Sequence, residues 1–260
     1  MPGVTFLGVG SALATQPADN HTALLVEAAE AVLLLDCGPT IMRQLERVGV
    51  DAGLTTHVYI SHQHGDHILG LPMFLLNRLL LFPDQPLLVL AMPAVLEAAR
   101  SVVGLTYPDL EQQMGESVEF VPLLEANESL PWPGAAALRY RLARCQHSVP
   151  TYALRLDWDS GKSMVFSSDT GPALEITRLA AGADLLVHDS FYLHATDDDL
   201  PSHTAADQVG QAAAQAGVKA VALVHRMRTE RPLARQYRAE AARYFGGEIL
   251  TPDAGDSFEF

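Results

Sequence analysis

Ser61-His62-Gln63-His64-Gly65-Asp66-His67 constrains this chain more than any other segment, because it packs three imidazoles and a carboxylate into six positions, His62 through His67. His62 and His64 are two apart, so a turn or strand end aims both at one point, while the adjacent Asp66 and His67 diverge and can serve a second. The spacing predicts two metals. Imidazole nitrogen combined with carboxylate oxygen suits Zn²⁺, Mn²⁺ or Fe²⁺ better than Ca²⁺, which takes all-oxygen shells. Thr56-His57-Val58-Tyr59-Ile60 just before reads as a short buried strand, and Ile68-Leu69-Gly70-Leu71-Pro72-Met73 just after opens an apolar helix. The ligands are therefore expected at a strand-to-helix crossing.

Two metals need more ligands than one loop supplies, and turns after other strands must provide them. His147 follows the strand-like Ala136 to Leu142, Asp169 ends Met164-Val165-Phe166-Ser167-Ser168 before the turn Thr170-Gly171, and His225 closes Ala220 to Val224. His203, in Pro201-Ser202-His203-Thr204, sits where a cap would begin the Ala-rich helix that follows, placed to give a proton to a leaving oxygen. His188 precedes Asp189, whose carboxylate could orient a catalytic imidazole; alternatively both simply finish a strand. His21, His57 and His194 read as structural or exposed.

The fold must gather these turns at one edge. Short apolar runs recur at Val4–Val9, Thr22–Val26, Ala31–Leu35, His57–Ile60, Leu87–Ala91, Val118–Leu123, Ala136–Leu142, Tyr152–Leu156, Ser163–Phe166, Asp184–Val187 and Lys219–Val224. Helical spacing marks Thr40–Val48, Ala94–Val103, Ala173–Ala181, Ala205–Ala216 and Pro232–Tyr244. Many neighbouring strands are joined by short turns, so a single parallel sheet is excluded. An α/β (α+β) arrangement of two mixed sheets packed face to face, with helices outside, fits the count. Both halves run from hairpins to helices, which suggests an internal duplication. Residues 1–260 contain nothing resembling a linker, so one domain is expected.

Charge narrows the partners. A net charge of −14, from 17 basic and 31 acidic residues, opposes general attraction to nucleic acid. Yet Arg226, Arg228, Arg231, Arg235, Arg238 and Arg243 gather near the C-terminus, and Arg231, Arg235 and Arg238 would share a helix face. That stretch is either a solvated face or a phosphate-facing patch. Cys37 and Cys145 read as buried free thiols, with a ligand role for Cys145 an open alternative. No apolar segment is long enough to span a bilayer, and Met1 to Phe6 has no secretory pattern, so the expected location is cytoplasmic.

The assembled residues His62-x-His64-x-Asp66-His67, His147, Asp169 and His225 resemble the metallo-β-lactamase superfamily. Phe6-Leu7-Gly8-Val9-Gly10-Ser11-Ala12, Leu35-Asp36-Cys37-Gly38, Gly70-Leu71-Pro72, Ser168-Asp169-Thr170-Gly171-Pro172 and Ser202-His203-Thr204-Ala205 are similar to its ribonuclease Z branch. The resemblance implies a four-layer αββα sandwich and two divalent metals, Zn²⁺ or Mn²⁺. It implies that His62, His64 and His147 hold one ion, that Asp66, His67 and His225 hold the other, and that Asp169 bridges them. A metal-activated water would be the nucleophile. His203 would be general acid, Asp189 would stand where the branch carries a Glu that positions that histidine, and Asp66 would join them in the catalytic set. A homodimer is also implied.

The chain departs from that branch in three places. The stretch between His147 and Asp169 holds only a strand, the turn Asp157-Trp158-Asp159-Ser160-Gly161 and another strand, leaving no room for the arm that grips tRNA. The branch's basic loop is represented by Thr15-Gln16-Pro17-Ala18-Asp19-Asn20, without a basic residue, and His225 is followed by Arg226-Met227-Arg228-Thr229 instead of a Ser and an Arg-Tyr pair. The expected activity is hydrolysis of a small phosphodiester such as a cyclic or dinucleotide, with Arg226 or Arg228 on the phosphate. The alternatives are tRNA 3′ processing, hydrolysis of a carboxylic or sulfate ester, thioester or lactone, and a non-catalytic metal sensor or assembly partner.

Overall fold

The computed structural model describes residues 1–14, 20–28, 30–126, 128–227 and 231–260, with the backbone alone at 231–232. Thr15 to Asp19 of the stretch that stands for the branch's basic loop, Arg228 and the side chain of Arg231 lie outside these residues. The first half runs β1 (Gly3–Gly8), β2 (Ala23–Ala28), β3 (Ala31–Leu35), α1 (Ile41–Arg47), β4 (His57–Tyr59), α2 (Gly65–Ile68), α3 (Leu71–Leu81), β5 (Leu87–Ala91), α4 (Pro93–Thr106), α5 (Leu110–Met114) and β6 (Val118–Pro122). The second runs β7 (Leu130–Trp132), β8 (Ala135–Arg144), β9 (Tyr152–Trp158), β10 (Ser163–Phe166), α6 (Leu174–Leu179), β11 (Leu185–Asp189), α7 (Ala206–Ala216), β12 (Ala220–Val224), α8 (Arg231–Ala241), β13 (Glu248–Leu250) and β14 (Ser257–Glu259).

Two seven-stranded sheets result, in the orders β14-β1-β2-β3-β4-β5-β6 and β13-β12-β11-β10-β9-β8-β7. In the first, β14, β1, β2 and β3 pair antiparallel and β3 through β6 parallel. In the second, β7 through β10 pair antiparallel and β10 through β13 parallel. Each half thus passes from hairpins to helical crossovers, the duplicated pattern read from the sequence.

Period-2 burial explains the layers. Leu33 and Leu35 of β3 and Leu185 and Val187 of β11 point between the sheets, where they meet Phe6, Trp132, Leu154 and Phe166. The intervening Leu34 faces the helices with Ile41, Phe74 and Leu75, and Leu186 faces Val209, Ala213 and Tyr237. Strands sandwiched on both faces need apolar residues at nearly every position, which is why they read as continuous apolar runs. Full burial of a residue such as Phe166 or Leu35 contributes roughly 1.5–3 kcal/mol. Proline sits in the first turn of α3 and of α4, where its missing N–H costs nothing.

Three details differ from the sequence reading. β7, β13 and β14 are additional, each a three-residue edge segment recruited by pairing. The helix after His203 begins without a Ser or Thr cap: Ala205 is the N-cap, and its N–H donates to Gln208 Oε1 at 3.0 Å. Arg226 is fully buried, its Nη2 donating to the Pro252 carbonyl at 2.6 Å, and so braces the loop before β14 instead of facing a phosphate. Arg235 and Arg238 are exposed on α8. No helix among the described residues is long and apolar enough to cross a membrane.

Candidate metal centre

The carboxyl ends of β3, β4, β8, β10, β11 and β12 meet at one edge of the sandwich, and the expected site residues stand on the loops that leave them. The backbone turns sharply there. Asp36, Ser168 and His225 all have left-handed φ, at 65°, 53° and 54°, a conformation uncommon for side chains other than glycine and concentrated at functional sites. Two glycines allow the loops to close: a Cβ at Gly38 would overlap the Asp66 carbonyl, and one at Gly171 the Pro201 carbonyl. The first contact seats α2 with Asp66 and His67, and the second brings the His203 loop onto the Asp169 turn.

The side chains form two groups that share Asp169. His62, His64, His147 and Asp169 make one, Asp66, His67, Asp169 and His225 the other, and within each the ligand atoms lie within 4.8 Å of one another. A third group, Asp189, His203 and His225, adjoins them. It holds a short hydrogen bond from His203 Nδ1 to Asp189 Oδ2 at 2.8 Å, so it is read as an orienting pair beside the metal groups.

Hydrogen bonds on the outer side set the tautomers. His67 Nδ1–H donates to Asp36 Oδ2 at 2.7 Å, and His147 Nδ1–H donates to the Ser202 carbonyl at 3.0 Å. Ser61 Oγ spends its proton on Asp36 Oδ2 at 2.9 Å, so it accepts from His62 Nδ1–H at 3.0 Å. In His62 and His147, whose neutral form burial favours, the Nε2 lone pair is left pointing inward. His62 Nε2 and His147 Nε2 then converge on His64 Nδ1 at 3.2 and 3.0 Å, although that nitrogen can donate to only one of them. His67 Nε2 lies 3.2 Å from Asp66 Oδ2 and 3.3 Å from Asp169 Oδ1. It makes no hydrogen bond, and Asp169 Oδ1 and His225 Nδ1 are likewise buried without one. Lone pairs and carboxylates facing one another in a dry pocket repel unless cations lie among them. The nitrogen and oxygen donor set suits divalent transition metals, and the two His/Asp clusters are consistent with a dinuclear metal site.

The titration behaviour divides the two groups: the first favours neutral imidazoles, while in the second the carboxylates hold protons on His67 and His225 where cations would sit. Burial, reinforced by the neighbouring His67, pushes His62 well below the ordinary histidine value, and burial pulls His64 and His147 down too, which favours the neutral ligating form. Burial alone would raise the Asp66 and Asp169 carboxyls, but their histidine neighbours hold both far below the usual range. For His67 and His225 burial acts downward and is outweighed by the carboxylates, chiefly Asp169, which hold the free proteins' imidazoles above their ordinary value.

Other sequence candidates stand elsewhere. His188 turns to the opposite face of β11 from Asp189, donating Nδ1–H to the Asp189 carbonyl at 2.7 Å. His57 bonds Thr56 and Pro133, and His194 is exposed. Cys37 and Cys145 are buried free thiols, and Cys145 Sγ donates to the Ser167 carbonyl. The outer partners Asp36, Ser61 and Ser202 were not singled out from the sequence. Asp36 could have been: it follows an apolar strand as Asp169 and His225 do.

Two mixed sheets between helical layers, with a His/Asp centre at the strand ends, define a metallo-β-lactamase-fold protein. The solved metallo-β-lactamase-fold protein YhfI of Bacillus subtilis superposes with a TM-score of 0.82 at 22% identity, covering 99% of this chain and 98% of that one. The short form of human tRNase Z superposes at 0.74 with 19% identity, covering 99% and 98%. Within the fold, this chain belongs to the family described as Anti-Pycsar protein Apyc1, whose model matches residues 3–236. It is also distantly related to ribonuclease Z: that of Mycobacterium avium (strain 104) is 28% identical over 268 residues, 96% of this chain and 95% of the relative.

Proposed function

We propose that the chain is a dinuclear metal-dependent phosphodiesterase acting on a small phosphodiester of the cyclic nucleotide class. The observation that carries this reading is Asp169. Its Oδ2 lies 3.2 Å from His225 Nε2, 3.7 Å from His62 Nε2 and 3.9 Å from His147 Nε2, and its Oδ1 lies 3.3 Å from His67 Nε2, so one buried carboxylate faces both clusters. In this assignment His62, His64 and His147 hold one ion, Asp66, His67 and His225 the other, and Asp169 bridges. When bound, two such ions would make a water acidic enough to attack at neutral pH and would neutralise charge on the phosphate oxygens.

The chain's own groups supply the rest. Asp66, held ionised, accepts a hydrogen bond from the attacking water. Asp189 takes His203 Nδ1–H and stabilises the doubly protonated ring, whose second proton, on Nε2, goes to the departing alkoxide. A cleft of about 320 Å³ lined by Gln146, His147, Ser148, Pro201 and Ser202 adjoins the first cluster and offers room for a small substrate. Membership of the Apyc1 family supports a cyclic nucleotide as that substrate.

Kinship with ribonuclease Z favours a second reading, tRNA 3′ processing. Against it, the His147–Asp169 interval is filled by the β9–β10 hairpin, Arg226 is buried, and the net charge is −14. A parallel panel of cyclic nucleotides, bis(p-nitrophenyl) phosphate, an aryl carboxylic ester, an aryl sulfate and a tRNA precursor, with Zn²⁺ or Mn²⁺ added, decides the matter. Turnover of the small diesters without tRNA cleavage is expected. Cleavage of the precursor with no diester turnover would overturn the proposal.

A further inference from the structure

The His203 ring is packed among aromatic rings. The Phe191 ring stacks on it at 4.5 Å and 21°, the His225 ring lies near-parallel at 5.4 Å and 12°, and His147 approaches edge-on at 5.2 Å, with Phe191 and His225 themselves 6.0 Å apart. Phe191 is itself tied down. Its N–H donates to Asp189 Oδ1 at 3.0 Å, and its carbonyl accepts from Tyr237 Oη of α8 at 2.9 Å and from Met227 N at 3.2 Å. The same Asp189 carboxylate receives His203 Nδ1–H and Thr170 N–H on Oδ2. Both oxygens of Asp189 are thus used to join the backbone of Phe191 to the ring it covers.

The hydrogen bond and the stack do different work. A single Nδ1–H···Oδ2 bond selects the tautomer and anchors one end of the imidazole, but the ring can still rock about that bond and swing Nε2 away. A flat ring against its face removes that freedom. His225, held by Asp66 and Asp169, is the near-parallel neighbour of both rings, 5.4 Å from His203 and 6.0 Å from Phe191. Phe191 is only half-buried and stands outside the three apolar clusters, so core packing does not account for an aromatic ring at this place.

We propose that Phe191 is the positioning residue for His203, keeping Nε2–H aimed at the leaving oxygen, and that it matters in proportion to how much that oxygen needs a proton. The inference rests on the reading of the chain as a phosphodiesterase with His203 as proton donor. In the step concerned, a bond forms between phosphorus and the water oxygen while the bond to the alkoxide oxygen breaks. His203 enters the step protonated at both nitrogens, Nδ1–H on Asp189; the electron pair of the broken bond takes the Nε2 proton, and the proton released by the attacking water passes through solvent to recharge the ring.

Leaving-group dependence tests this in the metal-loaded protein. A 3′,5′-cyclic nucleotide releases an alkoxide that needs the proton, whereas bis(p-nitrophenyl) phosphate releases an aryl oxide that departs without one. Phe191→Ala should lower kcat on the cyclic nucleotide roughly 10- to 100-fold with KM nearly unchanged, and alter kcat on the aryl diester by less than about threefold. Phe191→Tyr, which keeps the ring, should restore the cyclic nucleotide rate to within about threefold of wild type. In a His203→Ala background Phe191→Ala should add no further loss, because the group it positions is gone. Should Phe191→Ala fail to fold, Phe191→Leu, similar in bulk but not flat, carries the same comparison. Equal losses on both substrates, or a full additional loss without His203, would overturn the proposal while wild-type turnover leaves the phosphodiesterase reading standing. Wild-type protein that turns over neither substrate would overturn both.

Discussion

His67 gives its Nδ1 proton to Asp36 across 2.7 Å, in a place where neither side chain touches solvent. Asp36 also accepts from the Ser61 N–H at 2.8 Å and Ser61 Oγ at 2.9 Å, and Ser61 in turn holds His62. One carboxylate outside the site therefore orients a ligand of each cluster. In Asp36→Asn, an amide N–H₂ must replace one of two oxygens that face only donors. Metal affinity should fall about 10- to 100-fold, the usual cost of losing such an outer partner. Competition against a chelator measures it, and unchanged affinity in a folded variant would contradict the role.

Removing the metals should make stability depend on pH in a characteristic way. In the metal-free protein His67 and His225 have raised pKa values, so their contribution is complete below about pH 6.5 and is lost as pH rises towards the folded values. His62, His64 and His147 are lowered, so the unfolded chain takes up protons first and stability falls as pH drops through about 6.5. The depressed Asp66 and Asp169 add a loss only at more acidic pH. Metal-free protein should thus be most stable near neutrality and weaken on both sides. On the alkaline side each retained histidine proton costs up to about 1.4 kcal/mol per pH unit. Bound metal displaces those protons, so the difference in Tm between loaded and stripped protein should widen from pH 6.5 upward. Thermal melts across that range check the sign, and a narrowing gap would refute it.

Arg78 offers a stability test remote from the chemistry. It is 2% exposed, and its guanidinium donates to the carbonyls of Ala52, Thr55, Gln85 and Pro86 at 2.6 to 3.2 Å. These acceptors belong to the loops before β4 and β5, so one side chain of α3 fastens two connections in the helical layer. Arg78→Met fills similar space but strands the carbonyls, at a cost of roughly 3 kcal/mol. With about 2–4 °C per kcal/mol for a chain of this size class, Tm should fall by roughly 6–12 °C. Calorimetry on the metal-loaded protein gives the value; a shift below a couple of degrees would mean that water satisfies those carbonyls.

Most of the sandwich was legible because its strands are buried on both faces and so appear as apolar runs with turn residues between them. β7, β13 and β14 were not, since each is three residues long at or beside a sheet edge and exists only through its neighbour. At the site, the strand-end position drew attention to Asp169 and His225, and both lie in the shared cluster. The same position at Asp36 went unweighed because it lies far in sequence from the histidines, and nothing local shows that it reaches His67. Arg226 misled for a related reason. Its place directly after His225 suggests a phosphate contact, but the side chain is buried and Nη2 donates to the carbonyl of Pro252.

The division of labour between metal binding and proton donation is separable by mutation. His203 is anchored by Asp189 through Nδ1 and lies outside the two metal clusters, whereas Asp169 stands in both. His203→Ala should keep metal content near wild type, about two ions per chain, while turnover of an alkyl phosphodiester drops about 10²- to 10⁴-fold. Asp169→Asn should lose metal as well as activity, because the neutral amide cannot offset charge between two cations. Asp189→Asn should retain metal and lose most of the rate, since a neutral amide no longer stabilises the doubly protonated His203 ring that gives up the Nε2 proton. Elemental analysis alongside single-substrate kinetics distinguishes the three. An inactive His203→Ala protein that had also shed its metals would show that His203 holds the centre together, and the assignment of a proton donor outside it would fail.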